Sequence, residues 1–295
     1  MTGIIPLKKG MEITSFFAVN KLRRITEEKK AGHTGTLDPN ATGVLPVALG
    51  GATRFIELLP THVKEYDATF KLGIETDTLD IWGQVTNTTD KKVDPAEVLS
   101  LADRFTGDIM QLPPMFSAIR KDGVRLYELA RQGKEVERTP RKCTIYNLTI
   151  KHIQGDEYAL TCRCSAGTYI RTLISDIGEA VGTGAVMTAL CRTYACGVSI
   201  DDCLTLEELQ ALKDNGELSK AVIPVDKLLD CYPALNVTDN QAVRFSNGGD
   251  LMADRVKNLK GYGLYRVYGK EKFLGLGEYA EGSDSLSVKR VYNER

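Results

Sequence analysis

Two periodicities alternate along the chain. In YDATFKL, residues 66–72, and YALTCRC, residues 158–164, apolar and polar positions take turns, as they do in half-buried strands whose successive side chains point to opposite faces. VRLYELARQG, residues 124–133, instead spaces Leu126, Leu129 and Ala130 as a helix does and stops at Gly133, a natural C-cap. TYIRTLISDIGEAVG, residues 168–182, repeats Ile170, Leu173, Ile174, Ile177 and Val181 on one stripe and predicts a second helix. A third opens on a capping box, Thr205 with Glu208, and ends at Asn215 and Gly216. Strands and helices mix without regular alternation, so the expected class is α+β rather than a doubly wound sheet.

The 295 residues leave room for about two domains of roughly 150 residues each. Texture changes after Tyr232 and Pro233. From there FSNGGDLM reads as a turn, and GLYRVYG and KFLGLGEYA read as strands bent at glycines. We therefore expect a larger domain over residues 1–232 and a small β-rich one over 233–295, the latter without a catalytic motif.

Composition narrows the chemistry. The N-terminal stretch lacks the order of a secretory signal and no apolar run approaches the roughly 20 residues of a membrane span, so the expected compartment is the cytoplasm. Seven cysteines include no CxxC pair, which predicts buried, reduced thiols. Three histidines, His33, His62 and His152, show no metal-ligand spacing, and neither a metal nor another cofactor is expected. Net charge is −1, but residues 120–142 hold Arg120, Lys121, Arg125, Arg131, Lys134, Arg138, Arg141 and Lys142 against four acids. By itself that is as consistent with a solvated face as with an anionic partner.

One segment is neither helix nor strand. AGHTGTLDPNATGVLPVALG, residues 31–50, crowds glycine, threonine and proline around Asp38. Asp before Pro and Asn is an ordinary turn former. Two glycines beside His33, two threonines and a following apolar run suit a loop that approaches a ligand closely from a rigid base.

AGHTGTLDPNATGVLPVALGGATR, KEYDATFKLGIETDTLDIWG, FTGDIMQLPPMFSAIRKDGVRLYELARQG and CSAGTYIRTLISDIGEAVG together resemble the bacterial tRNA pseudouridine-55 synthases, collinearly from about residue 3 to residue 200. The resemblance implies a mixed, mainly antiparallel catalytic domain, a basic thumb-like insertion at about 114–142, and a small C-terminal RNA-binding module of the PUA type. It implies isomerisation of uridine 55 in the T arm of tRNA, with tRNA as partner and no obligatory protein partner. Asp38 falls on the catalytic aspartate. Such a carboxylate is ionised at neutral pH and needs no activating base, which accounts for the lack of a His or Cys dyad.

Arg171 falls on the active-site arginine, expected to keep that carboxylate charged; on pattern alone it reads as a surface residue of the 168–182 helix. Tyr66 falls on the tyrosine that stacks on the target uracil, although spacing alone makes it a strand core residue. Leu190 matches an apolar lining of the base pocket, and His33 the residue that stacks in the disrupted RNA loop once the base is flipped. Lys9 matches the lysine of the first motif, steadying the site or a phosphate, with Lys8 a poorer fit. Arg131 and Lys134 belong to the thumb, where cations supply salt-dependent phosphate contacts. The first motif departs from the family pattern: Gly10 and Glu12 stand where it has Pro and Gly, before the retained Thr14 and Ser15.

Two other classes remain compatible with the residues. One is an RNA-binding or tRNA-folding factor in which Asp38 only makes a turn. The other is a glycosidase-like hydrolase, which needs a second carboxylate such as Asp77 or Asp80.

Overall fold

The computed structural model describes residues 1–293, which divide into two compact units. One contains Met1–Pro39, Gly43–Thr61 and the chain from Cys196 onward. The other contains Asn40–Thr42 and His62–Ala195.

The first unit starts with β1 (Gly3–Lys9), whose run of apolar residues is buried except at Lys8. Helix α1 (Ser15–Thr26) follows, capped by Thr14, whose side chain accepts from the Phe17 amide. Ala18, Val19, Leu22 and Ile25 turn its apolar stripe inward. β2 (Ala31–His33) and β3 (Thr42–Leu49) come next, and β3 takes both β1 and β2 as antiparallel neighbours. Every residue of β3 after Thr42 is buried, so the 34–41 loop is mounted on a rigid strand. A 3-10 segment, Gly50–Leu58, closes this part.

In the second unit β4 (Val63–Leu72) is an interior strand, and its alternating burial is the period-2 pattern read from the sequence. Its extension is a small antiparallel pair, β5 (Ile74–Thr76) with β6 (Val85–Thr88). Helix α2 (Pro95–Arg104), capped by Asp94, leads to β7 (Gly107–Gln111). A two-residue hairpin, β8 (Arg120–Lys121) and β9 (Val124–Arg125), runs into α3 (Leu126–Ala130). Long strands β10 (Arg141–Gln154) and β11 (Glu157–Ser165), helix α4 (Ile170–Ala180) and β12 (Ala185–Ala195) complete it. The ladders run β12-β4-β11-β10-β7, all antiparallel. Phe70 stacks on Tyr158 across this sheet, with ring centroids 5.3 Å apart.

The rest of the first unit opens with the pair β13 (Val198–Ser199) and α5 (Leu206–Asp214), where the Thr205–Glu208 capping box forms in both directions. Then β14 (Ala234–Asn236), α6 (Asp239–Ser246), β15 (Leu251–Met252), β16 (Gly263–Gly269), β17 (Lys272–Tyr279) and β18 (Ser285–Val291) build a second sheet in the order β14-β16-β17-β18-β15. Only β14 with β16 is parallel in it. Leu235, Phe245, Leu251, Val256, Tyr265, Val267 and Leu286 form its own core.

This sheet is fastened to earlier parts of the same unit. Phe273 and Tyr292 hold Phe55 of the 3-10 segment at ring-centroid distances of 5.8 and 6.0 Å. Tyr232 donates to the Leu58 carbonyl, and Arg266 to the carbonyls of Tyr232 and Asp226. Gly51 lies so close to the Asn293 carbonyl that a Cβ there would collide with its oxygen.

Three sequence expectations need correction. The helix expected over 124–133 is only α3, because Asp122 and Gly123, at φ 52 and 82, turn a hairpin that takes Val124 and Arg125 into a strand. The 233–293 segment is not all strand and turn: α6 forms behind a second capping box, Thr238 with Gln241. Cys231 is exposed, unlike the five buried cysteines.

Candidate active site

The loop between β2 and β3 is held from below at both neighbours of Asp38. The Ser15 hydroxyl donates to the Leu37 carbonyl at 3.0 Å and accepts from the Leu37 amide at 2.9 Å. On the other side the Lys9 ammonium donates to the Pro39 carbonyl at 2.9 Å. Leu37 is buried, whereas Asp38 is half-buried, so the loop presents the carboxylate between two anchored residues. Such a clamp fixes the position of the residue between them.

Lys9 lies at the inward end of β1 and is 1% exposed. Its Nζ also donates to the carbonyls of Gly10 and Ile13, at 2.8 and 2.7 Å, so one buried cation organises both the 10–13 turn and the Asp38 loop. Lys8 points outward. In that same turn Glu12 adopts φ 63, left-handed backbone at the position where the family pattern has glycine. His33 ends β2, partly exposed, paired with Val47.

The second unit supplies the other candidates. Tyr66 on β4 is 7% exposed, in register with Cys162 of β11 and with Arg192 of β12. Arg192 is completely buried. Leu190 on β12 pairs with Ala68, and its carbonyl accepts from the Thr42 hydroxyl. Arg171 belongs to the first turn of α4 and is 5% exposed, which removes the reading of it as a surface arginine. Its guanidinium donates to the Thr78 carbonyl at 2.9 Å and the Phe116 carbonyl at 2.8 Å. One face of the fork is thus fixed by backbone.

Asp77 and Asp80 brace the turn that offers the Thr78 carbonyl. Asp77 accepts from the Gln84 amide, and Asp80 from the Thr78 hydroxyl and the Trp82 amide. Leu79 between them sits at φ 63. These bonds are those of a turn scaffold, as Asp side chains commonly make.

Gln111 was not visible from the sequence. Buried at the end of β7, it receives the Tyr169 amide and donates to the Tyr169 carbonyl, so it grips the residue that opens α4, two positions before Arg171. No periodicity marks such a residue; only its tertiary partner does.

Around α3 the basic segment is exposed at Arg125, Arg131 and Lys134. Two guanidiniums lie near the Tyr127 ring, Arg125 at 5.8 Å and Arg131 at 5.5 Å from its centroid, and Arg125 also donates to its hydroxyl. Farther along α4, burial and then the charge of Glu179 push the Asp176 carboxyl up to about 6. No group of three or more His, Cys, Asp or Glu is arranged to hold a metal among the described residues.

Comparison with known proteins adds an independent line. Residues 23–170 match the model of the TruB family pseudouridylate synthase N-terminal domain. Residues 171–230 match the tRNA pseudouridylate synthase B C-terminal domain, and residues 233–292 the pseudouridine synthase II TruB C-terminal model. A tRNA pseudouridine synthase B of Dechloromonas aromatica is 42% identical over 280 residues, covering 95% of this chain and 92% of its own. One of Clostridium tetani is 40% identical, with 94% and 96% covered. Among solved structures, a Cbf5-Nop10-Gar1 complex matches with a TM-score of 0.77 at 27% identity, over 99% of this chain and 85% of that one.

Proposed function

The chain belongs to the TruB family of pseudouridylate synthases, and on that premise we propose that it converts uridine 55 in the T arm of tRNA to pseudouridine with Asp38 as the reacting carboxylate. The observation that carries the assignment of Asp38 is its mounting: both flanking residues are clamped, by Ser15 and by Lys9, while the acid itself stays half-open.

The reaction breaks the bond from C1′ to N1 of uracil, rotates the base and joins C1′ to C5. The C5 proton leaves to solvent and N1 takes one up, so atoms balance without redox change or energy input. A carboxylate suffices as nucleophile or base. Arg171, on the family's active-site arginine, is the cation proposed for the reaction, and its bonds to two backbone carbonyls preset the guanidinium. Tyr66 gives the uracil an aromatic face and Leu190 an apolar wall, and His33 fills the RNA loop vacated by the flipped base. Lys9 acts as a positioning residue, since its ammonium is committed to the loop that carries Asp38.

Residues 1–232 serve as the catalytic domain and 233–295 as an RNA-binding module, with Arg131 and Lys134 of the thumb-like segment on phosphates. Among the described residues no helix is long and apolar enough to cross a membrane. We place the chain, as a tRNA-modifying enzyme, in the cytoplasm, with tRNA as its partner and without an obligatory protein subunit.

Tritium release from 5-tritiated uridine in a T-arm transcript tests the reading. Wild-type protein should release label stoichiometrically, and Asp38→Asn should bind the transcript while losing turnover by more than about a thousandfold. Tight binding by wild type without release would leave an RNA-binding factor, and free uracil would indicate a hydrolase.

A further inference from the structure

Phe16, at 73%, is the most exposed large apolar side chain among the described residues, and its neighbour Phe17 is 51% exposed. They are the second and third residues of α1, and Met11, 48% exposed, precedes them in the adjoining turn. Single exposed apolar residues are ordinary. Two consecutive aromatic rings on solvent are less so, because the buried stripe of α1 is complete without them.

Two further observations say what would cover them. Ser15, the residue before Phe16, is the one that grips Leu37 beside Asp38, so the rings adjoin the reacting loop within the same unit. Each ring also heads a helical row that ends in cations. Phe17 is followed at i+4 and i+7 by Lys21 and Arg24, and Phe16 at i+7 by Arg23, all exposed. Those positions lie about 6 and 10 Å farther along the axis. Of the acids near these cations, Glu27 is engaged with Lys213 and Glu28 with the N-terminal ammonium, while Glu12 lies exposed in the turn before the helix.

An aromatic surface flanked by cations fits an unpaired base with its adjoining phosphates, since a paired base within a duplex has no free face. We propose that Phe16 and Phe17 form a stacking platform for an unpaired nucleotide of the bound tRNA other than the target uridine, with Lys21, Arg23 and Arg24 on the neighbouring phosphates. The proposal rests on tRNA being the substrate.

The test compares wild type, Phe16→Ala/Phe17→Ala, Phe16→Tyr/Phe17→Tyr and Lys21→Ala/Arg24→Ala, each checked for an unchanged melting temperature, using full-length tRNA. Loss of one stacked base corresponds to a rise in Kd of about five- to a hundredfold. The alanine pair should show that rise, with KM following and the salt dependence of binding kept; the tyrosine pair should restore affinity. Lys21→Ala/Arg24→Ala should flatten the salt dependence. An unchanged Kd in the alanine pair, with wild type active in tritium release, overturns the platform and leaves the activity standing. Reduced self-association of the alanine pair, again with unchanged Kd, would overturn it in favour of a protein contact. Wild type that releases no tritium while the alanine pair still loses affinity would strike the isomerase reading alone.

Discussion

The ammonium of Lys9 and the carbonyl of Pro39, thirty residues apart, are joined by a 2.9 Å hydrogen bond. That bond ties the end of β1 to the residue after Asp38 and makes a basic side chain part of the loop's foundation. Lys9→Met should therefore lower kcat at least tenfold with KM within threefold, and cost about 2 to 4 kcal/mol of stability because buried carbonyls lose a charged donor. Lys8→Met should change stability by less than about 0.5 kcal/mol. Equal effects of the two in steady-state kinetics and urea unfolding would contradict the assignment.

Arg171 has its own asymmetry. Lysine can replace the charge but not a fork that reaches the Thr78 and Phe116 carbonyls together. Arg171→Lys should retain folding while reducing kcat about a hundredfold, and Arg171→Ala should add about 2 to 3 kcal/mol of destabilisation. Single-turnover rates alongside thermal unfolding separate the two effects.

Asp176 gives a pH-dependent signature. Its folded pKa of about 6 lies above the ordinary 3.8, so the native state holds this proton more tightly than the unfolded chain does. The contribution is fully present below about pH 3.8, is lost as pH rises, and is gone above about 6. Asp176→Asn should accordingly raise stability at pH 8 by on the order of 1 kcal/mol, discounted for partial solvent screening, and lose that advantage near pH 4. Urea midpoints at the two pH values measure it.

Arg131→Ala/Lys134→Ala removes two exposed cations from the α3 segment. If both meet phosphates, the slope of log K against log salt should fall by about 1.4 to 1.8, with little change in melting temperature. Filter binding from low to moderate salt would show it.

Much of this was legible in the residues themselves. Local rules placed β4, β11, α4 and α5, because a buried face or a capping box announces itself within a dozen positions. The family motifs then pointed to Asp38, Tyr66 and Arg171. What stayed hidden depends on distant partners: Gln111 under Tyr169, and the Pro39 carbonyl as the partner of Lys9, a residue the first motif had already marked. Two misses were local. The Asp-Gly turn at 122–123 and the Thr238–Gln241 box carry recognised signals that the surrounding helical or strand-like pattern outweighed.

The packing of Gly51 against Asn293, with Tyr292 beside Phe55, has a practical side. Trimming the last four residues would remove an aromatic ring from that cluster and strip cover from Phe55, which is fully shielded. A purification handle is therefore better fused at Met1, with allowance for its ammonium contact to Glu28, than at the other terminus, which follows closely on the packed Tyr292 and Asn293.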